Sequence, residues 1–321
     1  LGVDTIVSFN DTALVADGAD ADTLADIVTA LHGVIVDLTL NSILDDGYGN
    51  TGTLVSIENA GGGKLADDLI GSNAVNVLSG LAGNDNIEGR GGGDTLDGGD
   101  GDDFLKGDGN DSYNGPSGND ILLGGLGDDV LRGGAGIDSF NGGAGEDRVS
   151  FFSRAATQGA VANLTTQSVA NDGFGNVETM ISVEDLGGGT AFVDNFTGNN
   201  SANLIDAGIG DIVHALGGDD VFQLEGATAI LDGGAGNDTL ESFTDHAVVA
   251  DTNADGLADD VIALLGVTVN LSTNSIVNDG YGNSGTLVSI ENVGGGLLAD
   301  TLTGDVNANI LQGFDGADTL N

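Results

Sequence analysis

The sequence predicts an all-β fold, a parallel β-solenoid built from short repeats and interrupted by strand-rich spacer segments. Three observations lead to this prediction. The chain of 321 residues contains 58 Gly but only one Pro and neither Cys nor Trp, which indicates that tight turns dominate the fold. A nine-residue repeat places an acidic and an apolar residue at fixed positions, and a much longer repeat contains the spacers themselves.

The nine-residue repeat runs from Gly80 to Ser150, with one shortened unit that begins at Gly107. We call its sixth position the lattice position. The lattice residue is Asp in every unit of this run, namely Asp85, Asp94, Asp103, Asp111, Asp120, Asp129, Asp138 and Asp147. Two residues after each Asp there is usually an apolar side chain, namely Ile87, Leu96, Leu105, Tyr113, Leu122, Leu131, Phe140 and Val149. Each unit therefore predicts one turn that carries a carboxylate and one short strand that adds a residue to the core.

The same register continues outside this run. The further lattice residues are Asp67 and Asn76, then Asp194, Asn203, Asp211, Asp220 and Asp238, and finally Asp300, Asn309 and Asp318. Between Asp220 and Asp238 the lattice position is Ala229, although the apolar place is kept by Leu231. A coil that lacks its carboxylate is predicted there.

The spacers form a second, longer repeat. A segment that starts at Gly33 reappears in closely similar form at Gly266, and a more distant copy starts at Gly159. These segments alternate apolar and polar residues, which predicts half-buried strands that continue the solenoid. Around residues 24–31 and 257–265 the apolar spacing is closer to helical, and short helical turns are expected.

This pattern predicts six segments. They are a partial coil and spacer at 1–60, the main repeat block at 61–151, a spacer at 152–188, a degenerate second block at 189–245, a spacer at 246–293 that is homologous to 13–60, and an open-ended third block at 294–321.

The charge balance indicates that the fold needs cations. Asp and Glu total 51 against 6 Lys and Arg, giving a formal net charge of -45, and such a chain repels itself when compact. Calcium takes about six to eight oxygen ligands from carboxylates and carbonyls. Glycines at the first, second and fourth repeat positions allow turns with inward carbonyls. With two repeats per coil, Asp85 is expected near Asp103 and Asp94 near Asp111, with several Ca²⁺ ions between successive turns.

At this point the sequence resembles the RTX, or hemolysin-type, calcium-binding repeats, whose pattern is G-G-x-G-x-D-x-U-x with U a large apolar residue. The units GGAGIDSFN and GGAGNDTLE match it fully. The resemblance implies a parallel β-roll with calcium between its turns, type I secretion from a Gram-negative bacterium, and folding outside the cell. The shortened unit at Gly107, Ala229 and the three lattice Asn residues depart from the pattern.

A second acidic pattern occurs once, at residues 251–259. It places Asp251, Asn253, Asp255 and Asp259 at the first, third, fifth and ninth positions, and it resembles an EF-hand or thrombospondin-type calcium loop. An EF-hand also requires Glu at position twelve, which is Ile262 here. These four residues are therefore candidate calcium ligands outside a true EF-hand.

Other function classes are disfavoured. All six basic residues lie between Lys64 and Arg154, so the chain lacks the charge to hold nucleic acid or an anionic membrane surface. No apolar run is long enough for a membrane span. None of the three His belongs to a zinc-binding motif, and Ser117 lies inside a repeat rather than at a nucleophile elbow. From the sequence we expect that this chain is not an enzyme.

Three functions fit these observations. The first is a structural segment of a large secreted protein, such as an adhesin stalk, a surface layer or a filament, which folds on calcium and joins other copies head to tail through open solenoid ends. The second is the calcium module of a secreted lipase, protease or epimerase. The third is ligand binding on a flat solenoid face. The residue types at the outward repeat positions are too mixed to suggest that the ligand is ice.

Overall fold

The computed structural model describes residues 4–6, 9, 12–15, 26–30, 32–108, 117–226, 230–243, 246–249 and 259–321, and at 12–15, 26–29, 246–249 and 259–261 it describes the backbone alone. Asp111, Tyr113, Ala229, Asp251, Asn253 and Asp255 lie outside the described residues. The chain divides into two compact units, Leu1–Asp147 and Arg148–Asn321. Nearly all its regular structure is β-strand, and the described residues include no α-helix.

The described residues of the first unit form fifteen strands. They are β1 (Thr5–Ile6), β2 (Thr12–Val15), β3 (Asp26–Thr29), β4 (Ile35–Asp37), β5 (Ser42–Asp45), β6 (Gly52–Thr53), β7 (Asn59–Gly61), β8 (Asp68–Ile70), β9 (Val77–Ala82), β10 (Asn86–Arg90), β11 (Thr95–Asp100), β12 (Phe104–Asp108), β13 (Ile121–Leu126), β14 (Val130–Arg132) and β15 (Ser139–Ala144).

From β7 onward the strands of the first unit alternate between two parallel ladders. Strands β7, β9, β11, β13 and β15 pair in one ladder, and β8, β10, β12 and β14 pair in the other. Leu78 pairs with Leu96 and Ile87 with Leu105, so two repeats make one coil. This is the parallel solenoid that the nine-residue repeat predicts, because each repeat supplies one strand and one turn.

The shortened unit changes one step of the register. Leu96 pairs with Leu122 in the next coil, and the N–H of Asp94 bonds to Asp120. The lattice neighbour of Asp94 in the next coil is therefore Asp120, while Asp111, which was expected near Asp94, lies outside the described residues. The coil that contains the shortened unit holds three repeats instead of two, because the ladder resumes only where a full repeat can pair with the strand before it.

In the second unit, the part of the chain that the structure describes forms twenty strands. They are β16 (Arg148–Ser150), β17 (Ala160–Asn163), β18 (Ser168–Asp172), β19 (Glu178–Ile181), β20 (Asp185–Gly187), β21 (Asn195–Thr197), β22 (Leu204–Ala207), β23 (Ile212–His214), β24 (Val221–Leu224), β25 (Ile230–Asp232), β26 (Thr239–Phe243), β27 (His246–Val249), β28 (Asp259–Ile262), β29 (Thr268–Asn270), β30 (Ser275–Asn278), β31 (Gly285–Val288), β32 (Asn292–Gly294), β33 (Thr301–Thr303), β34 (Leu311–Gln312) and β35 (Thr319–Leu320). One 3₁₀ turn, Leu271–Thr273, interrupts them.

The second unit has the same alternating plan. Strands β16, β20, β22, β24, β26, β32 and β34 form one parallel ladder, and β17, β21, β23, β25 and β31 form the other. Strands β29, β33 and β35 form a further parallel run.

The spacers add antiparallel pairing to this plan. Each folds as a three-stranded meander, β4–β5–β6, β17–β18–β19 or β29–β30–β31. The first strand of each meander also joins a parallel ladder, through β8, β21 or β33. The prediction of short helical turns is wrong for those of its residues that the structure describes. Residues 26–29 and 259–262 are strands of the antiparallel hairpins β2–β3 and β27–β28, in keeping with their β-branched residues.

The core is a narrow column of apolar side chains between the two ladders of each unit. The described residues two places after a lattice Asp are almost fully buried, for example Ile87, Leu96 and Leu105, each with no exposed surface; the exception is Leu320, which is 50% exposed. No helix among the described residues is long and apolar enough to cross a membrane.

Candidate calcium sites in the turns

The lattice carboxylates are ordered by hydrogen bonds between successive coils. In the first unit the N–H of Asp85 donates to Oδ1 of Asp103 at 2.7 Å, and the N–H of Asp103 donates to Oδ1 of Asp129 at 2.8 Å. A second row on the other side of the coil joins Asp94 to Asp120 in the same way, at 2.7 Å. These bonds stack the carboxylates at the regular spacing of the ladder.

The second carboxylate oxygen of these residues has no hydrogen bond. Oδ2 is buried and accepts no hydrogen bond in Asp85, Asp94, Asp103, Asp120, Asp129, Asp220 and Asp238. A buried carboxylate oxygen in this state is costly, since nothing replaces the water it has lost. We call the turns that contain these seven residues the open turns.

In six of the seven open turns, all except that of Asp220, this oxygen lies beside a backbone carbonyl oxygen of the next coil. A methyl group built on Gly80 would lie 2.0 Å from Oδ2 of Asp85 and 2.6 Å from the carbonyl oxygen of Gly98, one coil further on. The two oxygens therefore converge on the same small space, which the missing Cβ of the first repeat glycine leaves open. Oxygen atoms without donors are the ligands of a hard cation.

Further carbonyls of the turn point along the stack. Gly99 and Gly101, at the second and fourth repeat positions, have φ of 111° and 137°. A methyl group on Gly99 would meet the carbonyl oxygen of Leu81 at 2.3 Å, and one on Gly101 would meet that of Gly83 at 2.1 Å. At these two residues glycine thus suits both the backbone conformation and the close approach between coils.

The electrostatics show what the open turns lack. Burial, together with the nearby carboxylates of Asp138 and Asp94, raises the pKa of Asp120 to about 8, although the N–H of Asp94 acts in the opposite direction. For the same main reason the pKa is raised to about 7 in Asp85, Asp94, Asp129 and Asp220 and to about 6 in Asp103. The ionised form is therefore unfavourable unless a positive charge is present.

The available ligands fit calcium. Among the described residues, no three His, Cys, Asp or Glu side chains come close enough to hold a metal together, so backbone carbonyls must provide much of the coordination. Mixed carboxylate and carbonyl oxygen ligation in a site of adaptable geometry is typical of Ca²⁺.

A second kind of turn has its lattice oxygens satisfied by the protein. Oδ2 of Asp67 accepts the N–H of Gly63 at 2.6 Å, while Oδ1 accepts the N–H of Val34 at 2.6 Å. The same kind of bond from a residue three or four places earlier occurs at Asp67, Asn76, Asp194, Asn203, Asp211, Asp300 and Asn309. We call these seven the closed turns.

The remaining predicted ligands fall between these groups. Oδ1 of Asp138, Asp147 and Asp318 accepts the N–H of Asp120, Asp129 and Asp300, respectively. Only the backbone of Asp259 is described. For all these residues, calcium ligation stays a prediction.

Sequence reasoning missed three features of the turns. The fifth repeat position also accepts bonds between coils, as in the N–H of Asp128 to Oδ1 of Asp102 at 3.1 Å. Glu291 replaces a lattice Asp, because its Oε2 accepts the N–H of Asp238 at 2.9 Å. Oδ1 of Asp108 is buried without a hydrogen bond, and burial raises the pKa of this carboxyl to about 6. Only the first had a sequence signal, namely the frequent Asn and Asp at that position.

The fold and the open turns define a repeat protein with cation sites between successive coils. A family model described as RTX calcium-binding nonapeptide repeat (4 copies) matches residues 70–105, 91–122, 106–140, 123–151, 210–240 and 294–321. These segments are RTX calcium-binding repeats, which confirms the resemblance, and Ca²⁺ at several positions is their cofactor. No curated protein matches the chain.

Proposed function

We propose that this chain is an extracellular structural segment whose β-roll folds when calcium fills the open turns. The observation that supports it is the row of seven buried lattice oxygens without hydrogen bonds, six of which lie beside a backbone carbonyl of the next coil. A metal ion there would satisfy several oxygens at once and remove the repulsion between stacked carboxylates.

The net charge of -45 makes this a switch. Without calcium, carboxylate repulsion opposes the compact state and favours an extended chain that can pass a secretion channel. Outside the cell, calcium in the millimolar range suffices for weak extracellular sites. Folding would thus occur after export, in keeping with type I secretion.

The repetition of spacer and block supports a structural role, such as an adhesin stalk, a surface layer or a filament. Every described strand and turn of the two units contributes to the stack or its spacers, and the family found is a calcium-binding repeat. Head-to-tail self-association stays a prediction from the repeat pattern.

Circular dichroism and light scattering during a calcium titration test this proposal. We expect β-structure to appear cooperatively with calcium, to vanish on addition of chelator, and to form far less with magnesium at equal concentration, because magnesium demands a more rigid octahedral site. A chain that keeps its full β-structure in excess chelator would contradict the proposal. Particle growth with calcium would support self-association, and a constant monomer would contradict it.

A further inference from the structure

We propose that the closed turns bind no calcium and that hydrogen bonds within the protein take its place, so that each block starts with metal-free coils. This inference rests on the proposed function, since it divides the lattice positions into those that take calcium and those that do not. The closed turns follow the short strands at the end of each spacer, β7, β20 and β32.

The lattice oxygens of the closed and the open turns differ in their hydrogen-bond partners. In a closed turn such as that of Asp300, Oδ2 accepts the N–H of Gly296 at 2.8 Å and Oδ1 accepts the N–H of Val267 at 2.7 Å. Both oxygens are then used by backbone donors. In the open turn of Asp103 only Oδ1 is used. A cation at a closed turn would have to displace an N–H that points at the same oxygen.

The three lattice Asn residues use both ends of the side-chain amide in hydrogen bonds. The amide nitrogen of Asn76 donates to the carbonyl oxygen of Glu58 at 2.5 Å, while its Oδ1 accepts the N–H of Ser72 at 2.6 Å. The equivalent donations run from Asn203 to Glu184 and from Asn309 to Glu291, at 2.7 and 2.8 Å. Each carboxamide is both donor and acceptor. A carboxylate there would place a side-chain oxygen beside the backbone carbonyl oxygen that now accepts the amide N–H, and the two would repel each other. Asn is therefore required by the turn and is not a weakened calcium ligand.

The two kinds of turn also differ in the backbone conformation just before the lattice residue. Open turns have glycine two places before the lattice Asp, and its φ is positive at Gly83, Gly92, Gly101, Gly127, Gly218 and Gly236. Gly118 holds the same place before Asp120, but its φ is not in the left-handed range. In closed turns this place is held by Leu65, Ala74, Phe192, Ser201, Ile209, Leu298 and Asn307, none of which has positive φ.

The residue four places before the lattice position follows the same rule. It has positive φ in six of the seven open turns even where it is not glycine, as at Leu81, Arg90 and Leu216, with φ of 78°, 77° and 78°. In the open turn of Asp120 this residue is Pro116, which lies outside the described residues. In the closed turns this residue does not have positive φ, and in six of the seven its N–H bonds to the lattice side chain. The turn type is therefore fixed by the sequence before the lattice residue.

The strongest alternative is that Asp67 is a calcium ligand like the others. A methyl group built on Gly62 would lie 2.1 Å from its Oδ2 and 2.7 Å from the carbonyl oxygen of Gly80, a neighbourhood like that of an open turn. The N–H of Gly63 is what distinguishes it. The experiment must therefore ask whether the turn type or the carboxylate decides calcium binding.

The test counts calcium ions bound per full chain at saturation, by equilibrium dialysis, in four variants. Asp103→Asn removes a carboxylate from an open turn and is expected to lose at least one ion. Asp67→Asn makes the same change in a closed turn and is expected to lose none. Asn76→Asp adds a carboxylate to a closed turn and is expected to gain none, with a lower Tm because the new oxygen faces the carbonyl of Glu58. The double variant Ala74→Gly/Asn76→Asp restores glycine at the fourth position and is expected to gain one ion.

Several results would overturn the inference: loss of an ion in Asp67→Asn, gain of an ion in Asn76→Asp alone, or no gain in the double variant. If Asn76→Asp does not fold, Asn309→Asp and its partner Asn307→Gly/Asn309→Asp provide the same comparison in the third block. Failure of the proposed function is separate, because the parent chain would then bind no calcium.

Discussion

Asp103 Oδ1 accepts a 2.7 Å hydrogen bond from the N–H of Asp85, one coil earlier, while Asp103 Oδ2 is buried without any hydrogen bond. One carboxylate therefore fixes the register between coils and also presents an unsatisfied oxygen to the turn. This double role explains why the lattice position tolerates so little variation within the main block. It also leads to the predictions that follow.

Removing one carboxylate from an open turn should weaken the calcium-bound fold. Asp129→Asn keeps the side-chain shape but removes the charge from a buried turn, and we expect a loss of about 2 kcal/mol in the unfolding free energy with calcium. Glu146→Gln removes one charge from an exposed side chain and serves as the control. Denaturant unfolding in calcium measures both. Equal losses in the two variants would show that net charge, and not the site, is responsible.

Acid should partly replace calcium. Burial raises the pKa of Asp120 to about 8 and that of Asp85 to about 7, above the unfolded value of 3.8. A carboxyl with a raised folded-state pKa favours the folded state at low pH, and this stability is lost as pH rises through the folded-state pKa. In chelator, β-structure should therefore increase as pH falls from about 8 to about 5. Circular dichroism at fixed ionic strength measures this, and a decrease over that range would contradict the assignment.

The same protonation should compete with calcium. Because the metal needs the ionised carboxylates, the calcium concentration at half-saturation should rise as pH falls through the raised pKa values of the open turns, from about 8 to about 6. A calcium titration at several pH values measures the shift. A half-saturation point that does not change with pH would show that these carboxyls are not the ligands.

The glycine at the fourth repeat position should be irreplaceable for steric reasons. Gly101→Ala would place a methyl group 2.1 Å from the carbonyl oxygen of Gly83 at a φ of 137°, and we expect the main block to lose its calcium-induced structure. Gly49→Ala is the matched control, because Gly49 has a φ of 84° but nothing within 4 Å of an added Cβ. Its cost should be only the conformational strain of about 1–2 kcal/mol. Similar behaviour of the two variants would contradict the close packing of turns.

The core column should be sensitive to cavities. Leu105 has no exposed surface, and Leu105→Ala is expected to cost about 2–5 kcal/mol. Leu126 is 56% exposed, so Leu126→Ala should change the stability by less than about 0.5 kcal/mol. Thermal unfolding in saturating calcium compares them. A small effect at Leu105 would mean that the solenoid does not close on this column.

The sequence predicts the solenoid because its two signals are strictly periodic. The Asp and the apolar residue of consecutive full units lie nine residues apart, as in Asp94 and Leu96 followed by Asp103 and Leu105, and each pair becomes one turn and one buried position. Periodicity alone could not predict that Asp94 would neighbour Asp120, because the length of a coil depends on which unit can pair with the preceding strand.

The repeat pattern also could not predict that the turns would be of two kinds. The lattice residue is Asp in the closed turn of Asp67 and in the open turn of Asp85. What differs is the backbone before it, at Gly63 and Leu65 in one case and at Leu81 and Gly83 in the other. A count of carboxylates treats these turns as equal, whereas hydrogen bonding separates them.

The most direct measurement is the anomalous diffraction of metal in crystals of the chain grown with calcium. We expect peaks in the open turns, between Oδ2 of the lattice Asp and the neighbouring carbonyl, as between Asp85 and Gly98, and none at the closed turns. Absence of metal beside Asp85, Asp103 and Asp129 in a calcium-saturated crystal would contradict it.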